Sequence, residues 1–389
     1  MRFVSHTEGR TRLLVPEASL TKDPPPTFPV FFNPAASLNR DVTVAITAST
    51  GGATFCDAMA GVGARGLRVA KEVGNVKVTM VDFNSKALDA GRKAAVLNGV
   101  RRKCEFSTSE TTSYLFSRFG KDQRYDFVDV DPFGTPVRQI QAALSATSDG
   151  GIMSVTATDT AVLCGVHTDT CKRRYGSSPL NNHFHHETGA RILIGAIARL
   201  GASLDIGIEP VAAHSTRHYI RVYSRVRPGA SKADAALKEL GYVDWCPACG
   251  EVRSSPAPEP TCAVCGKKAK VAGQLWKGGV ADVEVLRRAG TRAATMGLGA
   301  ASRVLESLIG VDAFTPWSFS IGGMCSKLKI PSVPEAYVYR NLVEGGHEVM
   351  RTPFEKTGIK TKAGYGEVLA AVRAAARGGA RLGGSSGPN

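Results

Sequence analysis

The sequence predicts an α/β chain: an open, mostly parallel sheet covered by helices on both faces, followed by a smaller α+β region. Three observations carry that expectation. Short apolar, β-branched runs alternate with stretches whose apolar residues recur at helical spacing through residues 1–228. A glycine-rich turn follows the first of those runs, and an acidic turn follows a later one. After residue 240 the composition shifts to Cys, Gly and Pro before helical patterns return. Strand-helix alternation implies right-handed crossovers, which bury a parallel sheet on both faces. The 389 residues are ~2.6 times a ~150-residue domain, so two or three domains are expected.

In order, Thr54–Asp57, Lys77–Asp82, Tyr125–Asp131 and Gly151–Thr156 read as strands. Ala64–Val73, Ser85–Asn98 and Val137–Ala146 read as the helices between them. A long helix, roughly His185–Leu200, precedes two further strands, Leu204–Glu209 and Tyr219–Arg225, and the sheet ends near Pro228. Six or seven strands are expected. Residues 229–377 form a C-terminal domain, with a ribbon-like insert at 241–279 and a winged-helix-like part at 300–375. Within the latter, Pro316–Lys329 and Val333–Glu344 read as helices and Gly346–Pro353 with Gly358–Lys362 as a β-wing. The Gly/Ser-rich stretch 378–389 reads as a flexible tail.

Charge narrows the partners. Lys and Arg number 49 against 34 Asp and Glu, a net charge of +15. Such a surplus suits a polyanion, either nucleic acid or an acidic membrane surface. It is spread out: residues 1–228 carry +8 and residues 229–389 carry +7. No apolar run approaches the ~18 to 20 residues of a membrane span. The start, Met1 to His6, lacks the apolar core of a secretion signal. With 43% hydrophobic residues, packed cores are expected rather than disorder.

The first strand runs into Asp57-Ala58-Met59-Ala60-Gly61-Val62-Gly63-Ala64-Arg65-Gly66. Glycines between a strand and a helix let backbone approach a ligand, and the helix start offers free N–H groups. The second strand ends in Asp82, placed to accept the hydroxyls of an adenosine ribose. A nicotinamide dinucleotide and S-adenosylmethionine both fit, as does a turn with no ligand. Asp57, four residues before Gly61, would repel a pyrophosphate and attract an ammonium or sulfonium, which favours the second cofactor. Further on, Asp131-Pro132-Phe133-Gly134 ends a strand. At the carboxyl edge of a parallel sheet it would lie beside the glycine loop. A carboxylate there can hydrogen-bond a ring-conjugated amino group and stabilise charge developing on it. Phe133 can offer a flat face to a base. A strand-end Asp that merely caps a turn is the plainer alternative.

These residues resemble the tRNA (guanine-N2)-dimethyltransferases of archaeal and eukaryotic type, through nearly the whole chain to about Lys362. The resemblance rests on Phe31-Phe32-Asn33-Pro34 with Leu38-Asn39-Arg40-Asp41, and on Asp57 to Arg65. It continues through Asp131 to Pro136, Thr156 to Thr160 with Leu163-Cys164-Gly165, His186-Glu187, Ile208-Glu209-Pro210 and Gly358-Ile359-Lys360-Thr361. It implies a class I Rossmann-like methyltransferase fold with a C-terminal tRNA-binding domain. It implies methyl transfer from S-adenosylmethionine to N2 of a tRNA guanosine, usually position 26, twice in succession. Asp131 would be the catalytic carboxylate. Arg40, Arg65 and Asp82 would hold the methyl donor, with Asp57, Gly61, Gly63 and Thr111 around it. Glu110 stands where the family often has Asp, and would reach the adenine amino group. Phe31 and Phe133 would contact donor or base, and Thr158 and Asp159 would line the target pocket. A guanosine held in a tRNA helix must be flipped out to reach such a site. The same chemistry on another base, and a non-catalytic RNA binder on the same scaffold, are the alternatives.

Cys246-Pro247-Ala248-Cys249 and Cys262-Ala263-Val264-Cys265 have the spacing of a structural Zn²⁺ site with four thiolates. That usage suits a reducing cytosol better than a disulfide scaffold, so a cytoplasmic location is expected, and a monomer. Lys267, Lys268 and Lys270 follow the second pair and are either phosphate contacts or a solvated face. His183, His185, His186 and Glu187 do not share one helix face, so packing or base contact is expected there rather than a catalytic metal. Lys172-Arg173-Arg174-Tyr175 combines charge with an aromatic, as nucleic-acid surfaces do.

Overall fold

The computed structural model describes residues 1–119, 123–314, 317–355 and 358–382. Its centre is a seven-stranded sheet. From one edge the order is Cys104–Thr108, Lys77–Asp82, Thr54–Asp57, Tyr125–Val130, Thr147–Ala157, Tyr219–Pro228 and Ile206–Thr216. The first five are parallel, and the last two add as an antiparallel pair. The strand order reverses between Thr54–Asp57 and Tyr125–Val130, and that switch point opens a crevice at the carboxyl ends of both. Asp57 and Asp129 are register partners there.

The strands form where β-branched runs meet a helix on each side. On one face Leu67, Val69, Ala94 and Ile46 pack against Val78, Phe55 and Phe127. On the other Ile140, Leu144, Leu193 and Ile197 pack against Val128, Val130 and Val155. The ends of the predicted elements move by a few residues: the fifth strand starts at Thr147, and the long helix spans His185–Ala202. An N-terminal hairpin, Phe3–Glu8 with Thr11–Pro16, and the helix Ser37–Thr50 complete the body.

The C-terminal region divides differently from the single 229–377 unit expected. Helices Val283–Thr295 and Gly299–Leu308 bury Val285, Leu286, Leu305 and Leu308 in the same core as Ile46 of helix Ser37–Thr50. They belong with the catalytic body because their apolar stripe packs on helix Ser37–Thr50 and touches the edge strand Ile206–Thr216. The ribbon comprises Leu240–Trp245, Val252–Ser255 and Lys270–Trp276, an antiparallel sheet of three strands. It lies along helix His185–Ala202, where a Cβ added at Gly195 would sit 3.2 Å from the Leu275 Cα. An independent core appears only from Ile321 onward, with Met324, Val338, Leu342, Ile359, Val368 and Val372. This module has helices Ile321–Leu328 and Glu335–Glu344, and a sheet in which Gly358–Thr361 pairs with both Phe319–Ser320 and Val349–Arg351. Its last helix, Tyr365–Leu382, runs past the start of the supposed tail. Residues 383–389 of that tail lie outside the described residues.

Candidate active site

The glycine loop is held in an unusual backbone path. Gly61 has φ +53° and Gly63 φ +77°, conformations that side chains rarely adopt. Gly63 also has no room for a side chain, since a Cβ would meet Met80 Sδ at 2.8 Å. Asp82 fixes the loop from the neighbouring strand end: one oxygen accepts Gly61 N–H at 2.7 Å and the other accepts Asn84 N–H at 2.8 Å. Thr111, buried, donates to Ala58 O at 2.7 Å and ties in the next strand's exit. Glu110 caps the helix Thr111–Phe116, accepting from Thr112 N–H and Ser113 N–H at 2.9 and 2.7 Å. Burial raises its pKa, but those N–H bonds outweigh burial and leave it below its ordinary value.

Asp57 and Asp131 flank the crevice. Asp57 is buried and accepts Gly66 N–H at 2.9 Å. Burial, then the charge of Asp129, pushes its carboxyl up to about 7. Asp131 is partly open and is gripped by Arg65 Nη2. Phe133, 68% exposed, stands edge-on to Phe31 with ring centroids 4.8 Å apart. Gly134 exchanges two hydrogen bonds with Thr158, which brings the fourth and fifth strand exits together. Asp131, Phe31, Phe133 and Thr158 thus converge on one mouth.

Arg40 lies behind the crevice wall. It is buried and gives Nε and Nη2 to Glu8 at 2.7 and 2.5 Å, with Nη2 also reaching Asn33 O. Asp159 accepts Tyr175 O–H at 2.7 Å and pairs with Arg174 at 3.0 Å. This corrects the reading of Lys172 to Tyr175 as a charged and aromatic surface. Tyr175 is 1% exposed, and Lys172, Arg173 and Arg174 are the outward residues. The helix supplies the ring to the core because Tyr175 falls on its Cys171 side, which is buried.

Beneath Asp131 lies a network that the linear reading missed. Asp129 is 0% exposed, bonds Ser154 Oγ at 2.5 Å, is gripped by Arg221 and lies 2.9 Å from Arg65 Nε. Arg221, also 0% exposed, further bonds Thr156, Thr43 at 3.0 Å and Tyr223 at 2.9 Å. Arg65 bonds Asn39 and Thr43 at 2.7 and 2.8 Å. Two guanidinium groups therefore alternate with two carboxylates, ending on Asp131. One signal was available: Asp129 and Asp131 are two apart and so share a strand face. Nothing in the sequence points from Asp129 to Arg221, 92 residues later.

The ribbon brings its four cysteines together. Ligand sulfurs of Cys246, Cys249, Cys262 and Cys265 all lie within 4.8 Å of one another. Cys246 to Cys265 is 3.5 Å and Cys249 to Cys262 is 3.6 Å. A tetrahedron with ~2.3 Å Zn–S bonds has edges of about 3.8 Å, so the donor set fits Zn²⁺. These distances are far from a disulfide bond, and all four thiols are free.

A Gly-rich loop at the switch point, flanked by carboxylates and with its one arginine already paired, suits a cationic ligand. Fold and site together define the class I methyltransferases. Known proteins bear this out. The model of the N2,N2-dimethylguanosine tRNA methyltransferase family matches residues 9–373. A tRNA (guanine(26)-N(2))-dimethyltransferase of Methanosarcina mazei is 35% identical over 380 residues, covering 93% of this chain and 96% of that one. Its counterpart from Methanopyrus kandleri is 35% identical over 358 residues, covering 91% and 92%. The structure of Trm1 from Pyrococcus horikoshii with S-adenosyl-L-methionine superposes with a TM-score of 0.83 at 29% identity, covering 95% of this chain and 99% of that one. The chain belongs to the N2,N2-dimethylguanosine tRNA methyltransferase family.

Proposed function

We propose that this chain transfers methyl groups from S-adenosylmethionine to the exocyclic N2 of a guanosine in tRNA, at position 26, giving N2,N2-dimethylguanosine. The observation that carries the reading is Asp131, held by Arg65 at the switch point beside the positive-φ glycine loop and next to exposed Phe133.

S-adenosylmethionine, when bound, supplies an electrophilic methyl group on a sulfonium. Gly61 and Gly63 would carry its backbone-facing edge, Asp82 its ribose, and Glu110 with Thr111 its adenine end. Asp57 would offset its positive charge. Arg65 fits a different task from direct donor contact: it is spent on Asp129 and Asp131, so it orients the catalytic carboxylate. Arg40, anchored by Glu8, would act by bonding Asn33 O and so steadying the Phe31 to Pro34 turn. Asp131 would accept hydrogen bonds from the N2 amino group, hold its lone pair toward the methyl, stabilise the charge that develops and take up the proton that N2 sheds. Phe133 and Phe31 would stack or edge against the extruded base, with Thr158 and Asp159 at the pocket wall. Rotation of the monomethylated nitrogen presents the second N–H to the same carboxylate.

Cys246, Cys249, Cys262 and Cys265 would hold Zn²⁺ in a closed, structural site. tRNA is the partner, met by Lys172, Arg173 and the basic C-terminal module. Among the described residues no helix is long and apolar enough to cross a membrane. A monomer in the cytoplasm completes the reading. The test is incubation with labelled S-adenosylmethionine and unmodified tRNA, then nucleoside mass spectrometry. Absence of N2-methylated guanosine refutes the activity. Asp131→Ala that still methylates at near wild-type rate, with folding intact, refutes its role.

A further inference from the structure

We propose a second transition-metal site, suited to Zn²⁺, formed by Cys164, His185 and His186. One ligand atom from each of the three lies within 4.8 Å of the other two. His185 and His186 adjoin at the start of helix His185–Ala202, where their rings converge to a centroid distance of 4.1 Å. Spacing along that helix argued against a metal among His183, His185, His186 and Glu187. The third ligand comes from elsewhere, at the end of the short helix Thr160–Leu163.

Two features separate this cluster from a chance gathering of polar groups. First, each imidazole has its Nδ1 occupied by a partner that fixes the ring. His185 Nδ1 bonds Asn182 O, and His186 Nδ1 lies 2.7 Å from Glu355 Oε1. Metal-bound histidines almost always spend their other nitrogen on a carbonyl or carboxylate in this way. With Nδ1 so engaged, Nε2 is the nitrogen each ring would offer a metal. Second, the scaffold is tight. A Cβ at Gly165 would strike Asn181 N at 2.7 Å, and one at Gly189 would come 3.2 Å from Leu163 Cβ. Cys164 is thus pressed toward the helix start, while both histidines stay half-buried and leave a path for entry.

Thiolate and imidazole donors select zinc among common divalent ions, and three protein ligands leave a fourth position for water or another donor. The site joins three segments: the loop after the fifth strand, which carries Thr158 and Asp159; the helix start; and, through Glu355, the C-terminal module. Its task is to clamp the module to the catalytic body. It does not depend on the methyl-transfer reading.

The experiment is metal analysis of protein purified without a chelating tag from zinc-supplemented cells. Two zinc ions per chain are expected, one from the ribbon. Cys249→Ser should remove one, and Cys164→Ser or His186→Ala the other. Zinc-edge X-ray absorption on Cys249→Ser should then show mixed sulfur and imidazole ligation. One zinc per chain, unchanged in His186→Ala, overturns the proposal. All-sulfur coordination in the wild type overturns it as well, without relying on any variant folding.

Discussion

Replacing Arg221 by Met tests the buried network under Asp131. The guanidinium is fully buried and grips Asp129, itself 0% exposed. Burial alone would push the Arg221 pKa down, but Asp129 beside it, then Tyr223 and Asp131, hold it above the ordinary value. Without Arg221, Asp129 keeps, among the described residues, Ser154 Oγ at 2.5 Å and Arg65 Nε at 2.9 Å. Removing one partner of a buried ion pair costs ~3–5 kcal/mol. Because Arg65 remains, we expect the lower end, about 3 kcal/mol. That lowers Tm by roughly 6–12 °C for a domain of this size. Asp129→Asn strands the Arg221 cation among hydroxyls and should cost a similar amount. The double variant should cost less than the sum by about 2 kcal/mol, since neither charge is then left alone. Denaturant and thermal unfolding of the four proteins at pH 7.5 measure this cycle. Single losses below about 1 kcal/mol, or strict additivity, would refute the claim that the pair is coupled. Arg65 should also swing toward Asp129 in Arg221→Met. Methylation should then fall in kcat while S-adenosylmethionine affinity holds.

Four further outcomes are expected. Asp57 has a folded pKa of about 7 against 3.8, so the native state binds the extra proton and this group's contribution to stability falls as pH rises from 3.8 to about 7. A cationic donor favours the ionised form, so its affinity by calorimetry should rise through pH 7 in wild type and flatten in Asp57→Asn. Lys360→Met should cost ~3 kcal/mol in unfolding, because among the described residues it leaves Glu187, 0% exposed, with Arg191 as its one cation where Lys360 Nζ now lies at 2.9 Å. Gly250→Ala should loosen the ribbon from the module, seen as faster proteolysis. Its φ is +88°, and a Cβ would lie 2.2 Å from the Tyr365 ring. Lys172→Ala and Arg173→Ala should each weaken tRNA binding uniformly and reduce the slope of log K against log salt by about 1, measured by filter binding.

Local sequence determined a good deal. The parallel strands were legible because each is a β-branched run a helix's length from the next, and burial on both faces leaves such runs no other use. The glycine loop and Asp131 were legible because strand exits in such a sheet share one edge. The ribbon cysteines were legible because both pairs lie within 20 residues, where spacing alone sets geometry. Helices Val283–Thr295 and Gly299–Leu308 each carry an apolar stripe, but their neighbours were not legible, since such a stripe does not name the surface that covers it. Arg221 with Asp129, Lys360 with Glu187, and Cys164 with His185 and His186 were decided only by tertiary structure. Each joins segments that strand order and crossover geometry bring together. Buried charges and metal ligands are satisfied by whatever the fold places beside them, and a linear pattern carries no record of that neighbour.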